Sequence, residues 1–172
     1  MLTAQPITID LFAGAGGFGL GFEMAGFSVP LSVKIDAWAC DTLRHNRPSM
    51  TVIQHDLRNF NTASSVKDIC LLKPDIVIGG PPCQGFSIAG PAQKDPKDPR
   101  NSLFINFAQW ISFLEPKAFV MENVKGLLSR KNFEGIKVID IIKETFENLG
   151  YFVEVWLLNT VDHQLDGSHN AA

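Results

Sequence analysis

Cys83 is the side chain of this 172-residue sequence best placed for covalent chemistry, within Gly79-Gly80-Pro81-Pro82-Cys83-Gln84-Gly85-Phe86-Ser87. Prolines fix φ and remove N–H donors, while glycines let the backbone come close to a ligand. Such a setting presents a thiol rather than packing one; the alternative is a buried small hydrophobe. A free thiol has a pKa of ~8.5, so only a few per cent is thiolate at neutral pH. A nucleophilic Cys83 therefore needs help from its neighbours. A second reactive candidate is Glu122, at the end of the apolar run Lys117-Ala118-Phe119-Val120-Met121. A carboxyl there is costly unless it has a partner or a task. Its bland reading is a solvated carboxylate at the sheet rim.

The elements that must position these groups follow from hydrophobic period and turn residues. Asp75-Ile76-Val77-Ile78 reads as a strand that ends just before the Cys83 turn, which puts the thiol beyond the carboxyl end of a buried strand, where open α/β sheets gather ligands. Ile7 to Phe12 is a strand running into Ala13-Gly14-Ala15-Gly16-Gly17-Phe18-Gly19, with a helix beginning by Leu20 and ending at Gly26. Gly14, Gly16 and Gly19 satisfy G-x-G-x-x-G, the nucleotide-cradling turn or simply a tight connection. Leu31 to Asp36 is a second strand, followed by a helix over Ala37 to Asn46 that Pro48 closes. Asp36 lies 22 residues after Gly14, near the ~20-residue interval at which a carboxylate meets ribose hydroxyls. It is equally suited to capping the helix, and both roles are compatible.

Met50 to Gln54 forms a third strand, and a helix of modest quality covers Ala63 to Leu72. Ile88 to Arg100, with Pro91, Pro96 and Pro99, reads as a mobile loop able to close over a substrate. Helical spacing of Leu103, Phe104, Phe107, Ala108, Ile111 and Leu114 predicts a core helix over Asn101 to Leu114. Lys117 to Met121 is a buried strand. Ile136, Ile139, Ile142, Phe146 and Leu149 form the stripe of a helix capped by Gly150, and Tyr151 to Leu158 is a further strand. Past Asn159 the pattern dissolves into a polar tail, which divides the chain into a domain over residues 1–159 and a tail over 160–172. His163 and His169 lie in that tail without metal-ligand spacing, so no metal is expected.

At 45% hydrophobic content the chain can bury one core. Three cysteines, Cys40, Cys70 and Cys83, form no C-x-x-C and argue against a disulfide framework. No run approaches the ~18 apolar residues of a membrane span, and no signal peptide is visible; a cytoplasmic protein is expected. The formal net charge of −3 is not that of a free-standing nucleic-acid binder.

Four stretches stand in one order: Asp10-Leu11-Phe12-Ala13-Gly14-Ala15-Gly16-Gly17, Pro81-Pro82-Cys83-Gln84, Arg100-Asn101-Ser102-Leu103-Phe104 and Glu122-Asn123-Val124. Together they resemble the successive motifs of the DNA (cytosine-5)-methyltransferases of bacterial modification systems, from about Ile7 to His163. The resemblance implies a Rossmann-like methyltransferase fold with an open, mostly parallel sheet that lacks its last strand. It implies S-adenosylmethionine held by Phe12, Gly14, Gly16 and Gly17, its adenine addressed by Asp56 and Leu57, and Leu103 against the methionine part; Asp36 is the candidate for the ribose. It further implies that Cys83 attacks C6 of cytosine with Pro82 fixing its approach, that Glu122 holds N3 and the exocyclic amine, and that Asn123 supports the turn. Thiolate addition makes C5 enamine-like and able to accept a methyl group. The base must be flipped out of double-stranded DNA to be reached, as is general for methyltransferases.

The sequence departs from that pattern twice. Lys34 stands where the family carries a ribose-binding glutamate, and an ammonium cannot accept hydrogen bonds. From Gln164 onward the likeness stops: the target-recognition region, the strand that would insert antiparallel between Lys117–Met121 and Tyr151–Leu158, and the final helix are not recognisable. Unpaired strand edges invite association, and poor solubility of the isolated chain is expected. DNA methylation is thus expected to need a missing C-terminal part or a second subunit carrying target recognition. The alternatives are a non-catalytic remnant, a tRNA cytosine-5 methyltransferase, and a nicotinamide-dependent oxidoreductase that would leave Cys83 and Glu122 unexplained.

Overall fold

The computed structural model describes residues 4–59, 69, 71–82, 103–132 and 134–159. Its hub is β1 (Ile7–Leu11), flanked in parallel by β2 (Ser28–Lys34) and β4 (Ile76–Gly79). Outside these lie β3 (Thr51–Gln54), parallel to β2, and β5 (Ala118–Met121), parallel to β4. The order is β3-β2-β1-β4-β5. A parallel sheet requires crossover connections, and the helices supply them: α1 (Gly17–Met24) joins β1 to β2, and α2 (Ala37–Asn46) joins β2 to β3. Beyond β4, α3 (Leu103–Leu114) leads into β5, and α4 (Val138–Glu147) follows it. The open, mostly parallel sheet of a Rossmann-like fold that the resemblance implies is present.

Side chains alternate across a strand, and β1 shows what that does. Ile9 and Leu11 point to one face and join Leu31, Val33 and Val77 in the core with Phe107, Trp110 and Ile111 of α3 and Ile142 and Phe146 of α4. Phe119 of β5 stacks on Phe146 at 4.2 Å between ring centroids and meets Phe107 edge-on at 6.2 Å. The Trp110 indole donates to the Leu57 carbonyl at 3.0 Å, so the polar edge of the largest core residue is satisfied. At the amino ends of the strands, Asp75 accepts from the Ile7 amide at 2.9 Å and from Lys117 Nζ at 2.6 Å. These bonds hold its carboxyl below the usual range, with Lys117 the larger cause.

Most expected boundaries agree to within a few residues, and those of α2 agree at both ends. β2 begins three residues earlier than its hydrophobic alternation suggests. An extra residue between the pairs Ile7–Ser28 and Ile9–Leu31 makes a bulge that accommodates Pro30 in a paired strand. A 3₁₀ turn, Lys125–Leu128, was not foreseen. Helix α4 is shorter than its stripe: Ile136 and Leu149 fall outside it, and Gly150 adopts φ 90° while the Tyr151 amide reaches back to the Phe146 carbonyl at 3.1 Å. The expected strand over Tyr151 to Leu158 pairs with no strand among the described residues. Tyr151 is anchored, its hydroxyl donating to the Pro116 carbonyl at 2.8 Å. Beyond it Phe152, Trp156, Leu157 and Leu158 are exposed. Extended sequence becomes a strand only by pairing with one, and although the Tyr151 ring packs edge-on against Phe119 of β5 at 5.2 Å, β5 pairs only with β4 among the described residues. The helix expected over Ala63 to Leu72 lies almost wholly outside the described residues, and the loop over Ile88 to Arg100 lies wholly outside them.

Candidate active site

The carboxyl ends of β1, β4 and β5 meet around a cavity of about 290 Å³. The glycine turn after β1 contributes Phe12, Ala13 and Gly14, and α1 contributes Phe18. Asp10 of β1, Gly80 after β4 and Glu122 after β5 complete its wall among the described residues. Phe12, Gly14 and Glu122, which lie more than a hundred positions apart at their extremes, line this one cavity.

The turn is tight enough to force unusual backbone. Phe12 has φ 66°, a left-handed conformation rare for a bulky residue. Its ring is held by Phe107 at 6.4 Å between centroids. Gly16 has φ 90°, and a Cβ there would come within 2.4 Å of Leu43 Cδ2. It sits at the N-cap of α1, and its carbonyl accepts from the Leu20 amide at 2.9 Å. Gly17 begins the helix, so the turn aims α1's unpaired amides along the cavity's rim. Neither Gly16 nor Gly17 touches the cavity itself; they shape the turn that does.

On the other wall, Gly80 leaves room for the acid: a Cβ at Gly80 would lie 3.0 Å from Glu122 Oε2. The Glu122 amide donates to the Gly79 carbonyl at 3.0 Å. Asn123 Nδ2 donates to the Pro81 carbonyl at 3.1 Å, and its Oδ1 accepts from the Val124 amide at 2.9 Å. Asn123 therefore supports the turn that contains Pro82. Cys83, the expected nucleophile, lies outside the described residues, as does Cys70. Cys40 is a buried free thiol whose hydrogen points at the Lys34 carbonyl, 3.4 Å away; burial raises its pKa.

The remaining candidates stand apart from the cavity wall. Asp36 caps α2, its Oδ1 accepting from the Ala39 amide at 2.8 Å. Asp56 is clamped by Arg58, whose amide and guanidinium donate to both its oxygens at 2.6 to 3.0 Å. That clamp holds its carboxyl below the usual range. Leu57 is buried in the core under Trp110, and Leu103 is buried at the start of α3. Lys34 ends β2, where its carbonyl accepts from the His55 amide at 3.0 Å.

Sequence reasoning missed Asp10. It is 1% exposed, and neither carboxyl oxygen has a hydrogen-bond partner among the described residues. Burial pushes its pKa up to about 7. The Gly19 amide, short of full hydrogen-bond alignment, and the charges of Lys34 and Arg47 offset only part of that cost. The argument that singled out Glu122, an acid in an apolar strand, applies equally to an aspartate between Ile9 and Leu11.

Comparison with known proteins bears on this arrangement. The family described as "C-5 cytosine-specific DNA methylase" matches residues 7–166. The chain is 48% identical to the type II methyltransferase M.DdeI of Desulfomicrobium norvegicum, across 90% of this chain and 36% of that protein. It is 38% identical to the type II methyltransferase M.AquIA of Picosynechococcus sp., across 90% of this chain and 64% of that one. Among solved structures, a DNA modification methyltransferase encoded within an E. coli prophage superposes with a TM-score of 0.67 at 34% identity, covering 84% of this chain and 38% of that chain. The chain therefore spans between about a third and two thirds of the length of these relatives.

Proposed function

The chain belongs to the C-5 cytosine-specific DNA methylase family, and on that premise we propose that it supplies the cofactor-binding and catalytic half of an enzyme that methylates C5 of cytosine in double-stranded DNA. The observation that carries the reading is the single cavity on which the glycine turn and Glu122 meet, beside the turn that leads into Cys83. The residues suit S-adenosylmethionine: a glycine turn that admits close approach, unpaired amides at the start of α1, and acidic groups on the wall facing a cationic ligand. When bound, that cofactor supplies an electrophilic methyl group.

The chain's own residues do the rest. The Cys83 thiolate adds to C6 of a flipped cytosine, so the pair of electrons in the C5–C6 bond becomes available at C5. The Glu122 carboxyl, fixed by the close approach at Gly80, holds N3 and offsets the charge that develops there. After transfer, loss of the C5 proton to a base expels the thiolate and restores the ring. Asn123, through Pro81, keeps the Cys83 turn and Glu122 in register. Asp56 reaches an adenine only once its Arg58 clamp is loosened, and Asp36 reaches a ribose only with the oxygen it does not use as a cap.

Target recognition belongs to a carboxy-terminal part outside this sequence or to a second subunit. The test is transfer of a labelled methyl group to duplex DNA. Alone, the chain is expected to bind S-adenosylhomocysteine calorimetrically yet transfer no label. Supplied with the carboxy-terminal portion of a relative, it should transfer label, and Cys83→Ser should abolish that transfer. Strong Cys83-dependent turnover by the chain alone would refute the need for a second part.

A further inference from the structure

Asp10 has no role in the scheme above, yet among the described residues it is the buried carboxyl whose two oxygens both lack a hydrogen-bond partner. A buried carboxyl without partners is destabilising by several kcal/mol unless it neutralises or something compensates it. Among the described residues its oxygens have no partner, and Oδ2 lies so close to the first turn of α1 that a Cβ at Gly19 would approach to 3.2 Å. Asp10 lines the same cavity as Phe12, Gly14 and Glu122. Glu122 is placed for the base, which leaves Asp10 as the acid on the side of the glycine turn.

We propose that Asp10 is a specificity determinant of this cavity: its negative charge favours a cationic sulfonium ligand over the neutral thioether that remains after methyl transfer. The proposal rests on the functional reading above. It requires no direct contact, since a charge within a poorly solvated wall acts over several ångströms. The groups that face Asp10 are Lys34 from the end of β2 and Arg47 beyond α2, the latter paired with Glu23 of α1; Glu122 faces the same cavity from beyond β5. Arg47 is already paired with Glu23, and Lys34 weakens the effect without cancelling it, since burial outweighs both cations at Asp10.

A carboxyl that titrates near neutrality makes the discrimination pH-dependent. At low pH Asp10 is protonated and should not distinguish the two ligands. Above its pKa it is ionised and favours the sulfonium.

The experiment is calorimetric titration of the chain with S-adenosylmethionine and with S-adenosylhomocysteine from pH 5.5 to 7.5. The ratio of the two affinities removes whatever their shared groups contribute. In the wild type this ratio should shift toward the sulfonium by about five- to tenfold as pH rises; in Asp10→Asn it should stay flat. A merely structural Asp10 would change both affinities together and leave the ratio untouched. A pH-independent ratio in the wild type overturns the proposal even if Asp10→Asn fails to fold, and so does a variant that keeps the wild-type trend. Failure of both ligands to bind would remove the functional reading itself, and this inference with it.

Discussion

At β1 the chain covers itself on every side, whereas at β5 it does not. β1 has a parallel neighbour along each edge, helix α1 over one face and α3 over the other, and Ile9, Leu11 and even Asp10 are shut away from water. β5 is paired only with β4 among the described residues. Val120 is exposed, and the segment after Tyr151 holds Phe152 at 88% and Trp156 at 76% exposure. The cavity takes most of its wall from the covered strand and the turn after it, with Gly80 and Glu122 added from the ends of β4 and β5. The bare end carries apolar side chains that a strand or a partner would have to cover. A sheet can thus hold a walled cavity at its carboxyl end while one of its outer strands is paired on a single side among the described residues.

Substitutions at the two ends should separate these conditions, and the largest effect is expected where strands press together. A Cβ at Gly79 would come within 2.1 Å of the Leu11 carbonyl oxygen and 2.9 Å of Phe107. Gly79→Ala should therefore cost more than about 3 kcal/mol in urea unfolding, or prevent folding.

Asp10 gives the next effect. The folded state holds its proton up to about pH 7, against 3.8 for the ordinary group. Stability is accordingly full at low pH, falls as pH rises between those values and levels off above 7. The fall is on the order of 4 kcal/mol from this residue. Thermal melts from pH 4 to 8 should show that decline in the wild type and a smaller one in Asp10→Asn.

Asp36→Ala removes the cap of α2 and should cost about 1 kcal/mol in the same unfolding measurement. The comparison breaks if this surface change proves as damaging as Gly79→Ala. At the other end, Phe152→Ser with Trp156→Ser should alter unfolding by less than about 0.5 kcal/mol. The same pair should reduce self-association in sedimentation, because it removes exposed apolar surface next to an open edge.

What the sequence made legible was local. Asp36 and Pro48 bracketed α2, and the spacing of Phe104, Phe107 and Ile111 located α3. The positions of Phe12, Gly14 and Glu122 on one cavity followed from where strands end, because parallel strands bring their carboxyl ends together. What stayed hidden depended on neighbours distant in the chain. The alternation that begins at Leu31 gave no sign that Pro30 is already paired, and only the bulge opposite Ile7 and Ile9 explains how it fits. The alternation of Tyr151 to Leu158 reads as a strand, but pairing is a property of two segments and not of one. Arg58 closing on Asp56, and the burial of Asp10 under α1, likewise require coordinates: each side chain's type was visible, its company was not.

The bond from Asn123 to the Pro81 carbonyl spans 42 positions of sequence and makes two turns behave as a single jaw. Whatever shifts one lip drags the other, because the Asn123 side chain and the Glu122 amide both tie the end of β5 to the turn after β4. Lengthening either turn by one residue would then break that tie and displace Glu122 from Pro81 even with both side chains still present.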